Sequence, residues 1–100
     1  MTQVKNGVPL RWENRVYAVV PDIRLVEEVE GELGGIAELE ERFLCNRWEV
    51  SELVTLVQMM LQAAGRTVDY AQLGNRMLTE GLGHYLPAAS TFLQRVLYAR

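Results

Sequence analysis

Apolar and polar positions alternate along the start of the chain and then change period near residue 21. "VPLRW" and "RVYAVV" flank "EN", with Trp12, Val16, Tyr17, Val19 and Val20 supplying aromatic and branched side chains. Such runs favour strands, so residues 7–20 predict a short β-hairpin. Asn14 tolerates the positive φ that a tight turn demands, and Pro9 confines the first strand to an edge or a strand start. A two-stranded ribbon is marginal alone, so it is expected to pack on the helices of residues 22–98, against the helix centred near Leu56.

From "PDIRLVEEVEGELGG" onward the spacing is three and four. Asp22 is the expected N-cap, Leu25 or Val26, Val29 and Leu33 form one stripe, and Gly34-Gly35 ends the helix. Ile36, Leu39 and Phe43 mark a second helix running to about Cys45. "SELVTLVQMMLQAAG" reads as the core helix, ended by Gly65. Its polar residues Ser51, Thr55, Gln58 and Gln62 trace one narrow uncharged stripe, and the rest from Leu53 to Ala64 is apolar. A fourth helix is expected with Thr67 as N-cap and an inner stripe of Val68, Ala71, Leu73 or Gly74, Met77 and Leu78. The fifth carries Pro87 in its first turn and buries Leu86, Ala89, Leu93 and Val96 or Leu97. The expected core is Val29, Leu39, Phe43, Leu53, Leu56, Val57, Met60, Leu61, Met77, Leu93 and Val96. The fold class is α+β, mostly α: a short N-terminal β-hairpin packed on a bundle of four to five helices, in one domain of residues 1–100.

Seven of the 13 acidic residues fall within one stretch: Glu27, Glu28, Glu30, Glu32, Glu38, Glu40 and Glu41. They lie mainly between the apolar positions and read as a solvated face. A metal site or catalytic acid pair needs converging ligands or a cleft, and the single histidine, His84, is far along the chain. Neither a metal nor a cofactor is expected. Charge of one sign can still steer a partner of the other sign.

The formal charge of −3 argues against a phosphate-binding surface, as does the scatter of arginines with Lys5 the sole lysine. Cys45 is alone, which excludes an intrachain disulfide and fits a reducing compartment. "MTQVKNGVPLRWENR" lacks the basic start and apolar run of a signal peptide. No run approaches the roughly 20 apolar residues that cross a bilayer. The expected location is the cytoplasm, without membrane contact.

Individual motifs offer little chemistry. The last two helices have a faint helix-turn-helix look, yet the second offers Ala, Ser, Thr and Gln where a DNA reader carries basic residues. Ser51 and Ser90 have no neighbouring histidine, and "GELGG" follows a helix and lacks the lysine of a phosphate loop. His84 reads as a surface or capping histidine, and Trp12 and Trp48 as core or as clamps over the helices. Met59-Met60 is either core filler or an adaptable contact surface. The chain is expected not to be an enzyme.

The order of elements is more specific than any motif. A glycine-led ribbon "GVPLRWENRVYAVVPDI" runs into "LVEEVEGELG", "IAELEERF", "RWEVSELVTLVQMMLQAAG" and "GNRMLTEGLGHYLPAASTFLQRVL". This order resembles the small tail proteins of gene transfer agents and related siphophages, known as tail tube proteins or tail assembly chaperones. The family's apolar-apolar-x-Glu-apolar-Glu signature falls on Leu25, Val26, Glu28, Val29 and Glu30. Its helix-ending glycine is Gly65, and its Gly-Leu element is Gly81-Leu82. "RWENRVY" departs from the Asp-Gly turn common in such hairpins, and the first helix is richer in glutamate.

The resemblance implies a non-enzymatic tail morphogenesis protein of a prophage or gene-transfer cluster. Foremost is an assembly chaperone that binds tape-measure or tail-tube subunits and self-associates when unoccupied. Retention in the finished tail tube and a DNA-associated regulator are the alternatives. Together with the uneven charge, the resemblance makes Glu28, Glu30, Glu38, Glu41 and Met59 the candidate partner-binding residues. Apolar positions beside the acidic helices would carry the contact, with protein rather than nucleic acid as the partner, in the host cytoplasm or on the virion.

Overall fold

Strand β1 (Val8–Trp12) pairs antiparallel with β2 (Arg15–Val19). The computed structural model describes residues 7–99. Lys5, Arg100 and part of the stretch searched for a signal peptide lie outside the described residues. Glu13 and Asn14 both take left-handed backbone, with φ of 52° and 65°, which makes the primed two-residue turn that matches strand twist. The register places Val8 opposite Val19, Leu10 opposite Tyr17 and Trp12 opposite Arg15 on one face. Val8, Leu10, Trp12 and Val19 of that face are buried. The hairpin rests on two helices rather than one: β1 lies against α5 and β2 against α3.

Five helices follow: α1 (Ile23–Leu33), α2 (Ile36–Leu44), α3 (Val50–Ala63), α4 (Tyr70–Glu80) and α5 (Leu86–Tyr98), with a 3-10 turn at Leu82–His84. Asp22 caps α1, accepting from the Leu25 N–H at 2.9 Å. Gly34 closes it at φ 91°, where a side chain would be strained. The Ile36 N–H, an orphan of α2's first turn, donates to the Glu30 carboxylate at 3.0 Å. α3 packs between α1 and α4, and α2 packs on α5. Leu53, Val54, Leu56, Val57, Met60 and Leu61 of α3 are all buried, while Ser51 and Gln62 of its polar stripe face out.

Further details differ from the sequence expectation. Asp69, not Thr67, caps α4, accepting from the Gln72 N–H at 3.1 Å. The helix starts later because residues 67–69 stay outside it, with Val68 buried and its carbonyl taken by the Gln58 amide at 3.0 Å. Only Leu73 and Met77 of α4 are buried, and Ala71 and Leu78 are exposed. At 100° per residue those two positions point well away from the Leu73–Met77 line. Gly74 sits where α4 nears α3: a Cβ there would stand 3.6 Å from Val54 Cγ1.

Glu40, expected on the wet face, is buried at 7% exposure. It lies one turn from both Ile36 and Phe43, on the face α2 turns to its neighbours. On α5 the buried residues are Ala89, Phe92 and Leu93; Val96 is only partly covered. The core there includes Phe92, which the expected face omitted, and thins toward the helix end.

Candidate functional site

α1 is a ridge with a different surface on each flank. Its 100° steps turn Leu25 and Val29 inward, place Ile23, Val26 and Glu30 on one side, and Glu28 and Glu32 on the other. On the second side Glu28, Gly31 and Glu32 face Thr55, Gln58, Met59 and Gln62 of α3 across a groove of about 480 Å³. Two of the sequence candidates, Glu28 and Met59, therefore meet. Glu30 is on the opposite flank and is committed to the first turn of α2. Glu38 and Glu41 are exposed on α2, outside this groove. Ion pairs among the described residues include Arg42–Glu52, Arg66–Glu13, Arg76–Glu13 and Arg76–Glu80. None of these four involves Glu27, Glu28, Glu30, Glu32, Glu38 or Glu41.

The first flank joins an apolar surface. The outward face of the hairpin carries Pro9, Arg11, Val16 and Ala18, all exposed. Val16 is 61% exposed, Val20 44% and Ile23 69%. Beside Ile23, a cleft of about 380 Å³ opens between Pro21, Asp22, Val26 and the end of α5 at Arg95, Val96 and Ala99. A sheet of two strands has one face on the core here, and the other would ordinarily be polar. Apart from Arg11, its outer face is apolar here.

A third feature lies at the hairpin tip. Glu13 receives Arg66 at 2.7 Å and Arg76 at 3.7 Å, and Arg76 also holds Glu80 at 2.9 Å. Arg76 stacks over the Trp12 ring at 5.4 Å, and the Tyr85 hydroxyl donates a hydrogen bond to Glu80. An adjoining groove of about 520 Å³ is lined by Glu13, Arg76, Glu80 and Tyr85 with Arg11, Asn14 and His84. The Tyr85 hydrogen bond and then Arg76 pull the Glu80 pKa below the usual carboxylate value. Burial and then the bond to Glu80 push the Tyr85 phenol well above its usual value, and the bond to Glu80 raises Arg76. All three shifts move away from neutral pH, whereas a general acid or base works best near the operating pH.

Sequence reasoning missed this network and the apolar outer face. The face had a readable signal: Val16, Ala18 and Val20 occupy the alternate positions that should be wet. The Arg76–Glu80 pair, four apart on a helix, was also readable. Arg66 and Glu13 are 53 positions apart, and nothing local announces them. Among the described residues no three His, Cys, Asp or Glu side chains are grouped to hold a metal ion. No helix among them is long and apolar enough to cross a membrane. Residues 6–99 match the family described as phage tail tube protein, GTA-gp10. No curated protein and no solved structure matches.

Proposed function

The chain belongs to this phage tail tube family, and on that premise we propose that it serves tail morphogenesis as an assembly chaperone. It acts without catalysis, holding a tape-measure or tail-tube subunit in the host cytoplasm until that subunit polymerises. The observation that carries this reading is the uncovered apolar surface from Val16 through Val20 and Ile23 to the α1–α5 cleft. Fully burying an aliphatic side chain is worth roughly 1.5–3 kcal/mol. Three partly exposed ones therefore supply on the order of 3–5 kcal/mol before the costs of association. That suits a client that must later be released. A stable interface covers about 800 Å² on each partner, far more than a five-residue hairpin face presents.

Exposed glutamates of α1 and α2 steer a basic client toward the protein at long range. α4 and α5 carry Arg76 and Arg95 as their arginines, and Glu80 and Glu13 already engage Arg76. The proposed partner is accordingly a protein rather than nucleic acid.

The family's description favours a second reading, in which the chain stays in the tail tube. An open-ended tube needs two different complementary patches on every copy. The hairpin is the only sheet among the described residues, a narrow base for such contacts. Co-expression with the tail-tube and tape-measure proteins of the same gene cluster, followed by purification of finished particles, separates the two. A chaperone co-purifies with a free subunit and is missing from particles. Stoichiometric presence in particles would favour the tube reading, and failure to retain either subunit at low salt would end the chaperone one.

A further inference from the structure

The two outer edges of the hairpin are not alike. Glu13 and Asn14 form its two-residue turn, so Trp12 and Arg15 make the hydrogen-bonded pair that closes it. Bonded and non-bonded pairs alternate along an antiparallel ladder. Arg11–Val16 and Pro9–Ala18 are therefore the non-bonded pairs, whose backbone groups point away from the hairpin. On the β1 edge Pro9 has no N–H to offer, and that strand lies against α5. β2 lies against α3, yet of its residues only Val19, on the core face, is buried. Along its outer edge Val16 and Ala18 each present an N–H and a C=O, and both residues are exposed. Among the described residues nothing is hydrogen-bonded to those outward groups.

Open edges are ordinarily blunted by charge, proline or a bulge, because an unpaired one templates pairing with another chain. From Val16 to Val20 the sequence VYAVV carries neither charge nor proline. We propose that a second copy of this chain pairs here, β2 against β2, antiparallel about a twofold axis at Ala18. A twofold contact needs a patch that complements itself, and this strand does. The axis sets Ala18 against Ala18 of the second copy, and Val16 against Val20 of the second copy. These are the residues whose backbone groups point outward, so each pair exchanges hydrogen bonds and an apolar contact on the outer face. Val20 is biased to extended backbone by the proline after it, and Pro21 falls at a non-bonded position, where its missing N–H is not needed. Arg15, the charge on β2, falls at opposite ends of the two copies, about 20 Å apart on the rise of a strand, and does not face itself. A strand edge covers less than the roughly 800 Å² per partner of a stable dimer, so the pairing is weak and shows at high protein concentration.

This inference rests on the hairpin register and not on the client reading. Edge pairing uses backbone groups and leaves the outward side chains on one four-stranded face, so failure to retain a client would leave it standing. The test is amide hydrogen exchange by ¹H–¹⁵N spectroscopy, with sedimentation equilibrium, from micromolar to millimolar protein. Exchange at the Val16 and Ala18 amides should slow about tenfold once about nine-tenths of the chains are paired, because only the free copy exchanges. The Arg11 amide, which points out of the other edge, should keep its rate. The mass should rise toward that of two chains over the same range. Ala18→Pro removes one outward donor and no hairpin hydrogen bond, and Pro9 already occupies the position opposite. Ala18→Lys sets two like charges against each other on the axis, at a residue exposed in the single chain. Both variants should keep the dispersed spectrum of the folded domain and the mass of one chain.

A single-chain mass at every concentration, equal slowing at Arg11 and Val16, or parental dimerisation by a folded Ala18→Lys would overturn the proposal. Protection of Val16 and Ala18 that arises only when a tail-tube or tape-measure subunit is added would overturn it too, because the edge would then belong to that subunit.

Discussion

Replacing Gly31 with Ala should stabilise the protein, and the structure says by about how much. Gly31 lies inside α1, its φ is not left-handed, and nothing stands within 4 Å of where its Cβ would be. The methyl group meets no clash. What remains is helix propensity, where Gly trails Ala by about 0.8–1.0 kcal/mol, and the stiffer unfolded chain is worth about 0.4–1 kcal/mol for such a change. These describe one effect from two sides, so the expected gain is about 0.5–1 kcal/mol, or roughly 2–8 °C in Tm for a domain of this size. Gly34, three residues on, is the control. Its φ of 91° is strained for any side chain, so Gly34→Ala should destabilise by about 1 kcal/mol or more. Urea unfolding of the three proteins reads both effects as shifts in midpoint at unchanged slope. Gly31→Ala should also leave client retention intact, because Gly31 borders the α1–α3 groove and not the Ile23 cleft. A lowered midpoint for Gly31→Ala, or a raised one for Gly34→Ala, would mean that α1 does not run and end as described.

Leu56 is fully buried in α3, and Leu56→Ala should cost about 2–5 kcal/mol in the same assay; a loss under about 1 kcal/mol would make α3 peripheral. Glu38→Lys with Glu41→Lys should slow client association and flatten its salt dependence while leaving the unfolding midpoint unchanged; stopped-flow rates that match the parent at low salt would remove these residues from steering. Because the folded-state pKa of Glu80 is depressed, its contribution is present above the unfolded carboxylate pKa and lost as pH falls through the folded value. The midpoint difference between the parent and Glu80→Gln should accordingly shrink as pH drops through the carboxylate range, and a difference constant with pH would contradict the Arg76–Glu80–Tyr85 network.

Local signals account for most of the fold that was legible beforehand. Asp22, Gly34 and Gly65 punctuate helices through their own backbone and side-chain chemistry, and the polar stripe of α3 is a periodicity within one segment. Tertiary contacts decide the rest. Glu40 is buried because α2 is covered by α5, and Thr67 loses the cap to Asp69 because the Val68 carbonyl is held by Gln58 of α3. The candidate site divides in the same way. Glu28 and Met59 do face one groove, but Glu30 is bound up in capping α2, a bond that depends on how α1 and α2 are joined. The Glu13–Arg66–Arg76 cluster gathers residues from a turn, a loop and a helix, and only the assembled fold brings them together.

Ile23→Asp is the sharpest probe of client docking on the surface at the hairpin and the start of α1. Ile23 is 69% exposed, so little packing is lost. An acid in the first turn of a helix is favoured by the helix dipole, so α1 itself should not suffer. The measurement is the affinity of the purified variant for the tail-tube or tape-measure subunit that the parent retains, with the urea midpoint taken alongside. Affinity should fall about tenfold or more, roughly 1.4 kcal/mol, with the midpoint unchanged. Parental affinity in a correctly folded Ile23→Asp would mean that the client docks elsewhere.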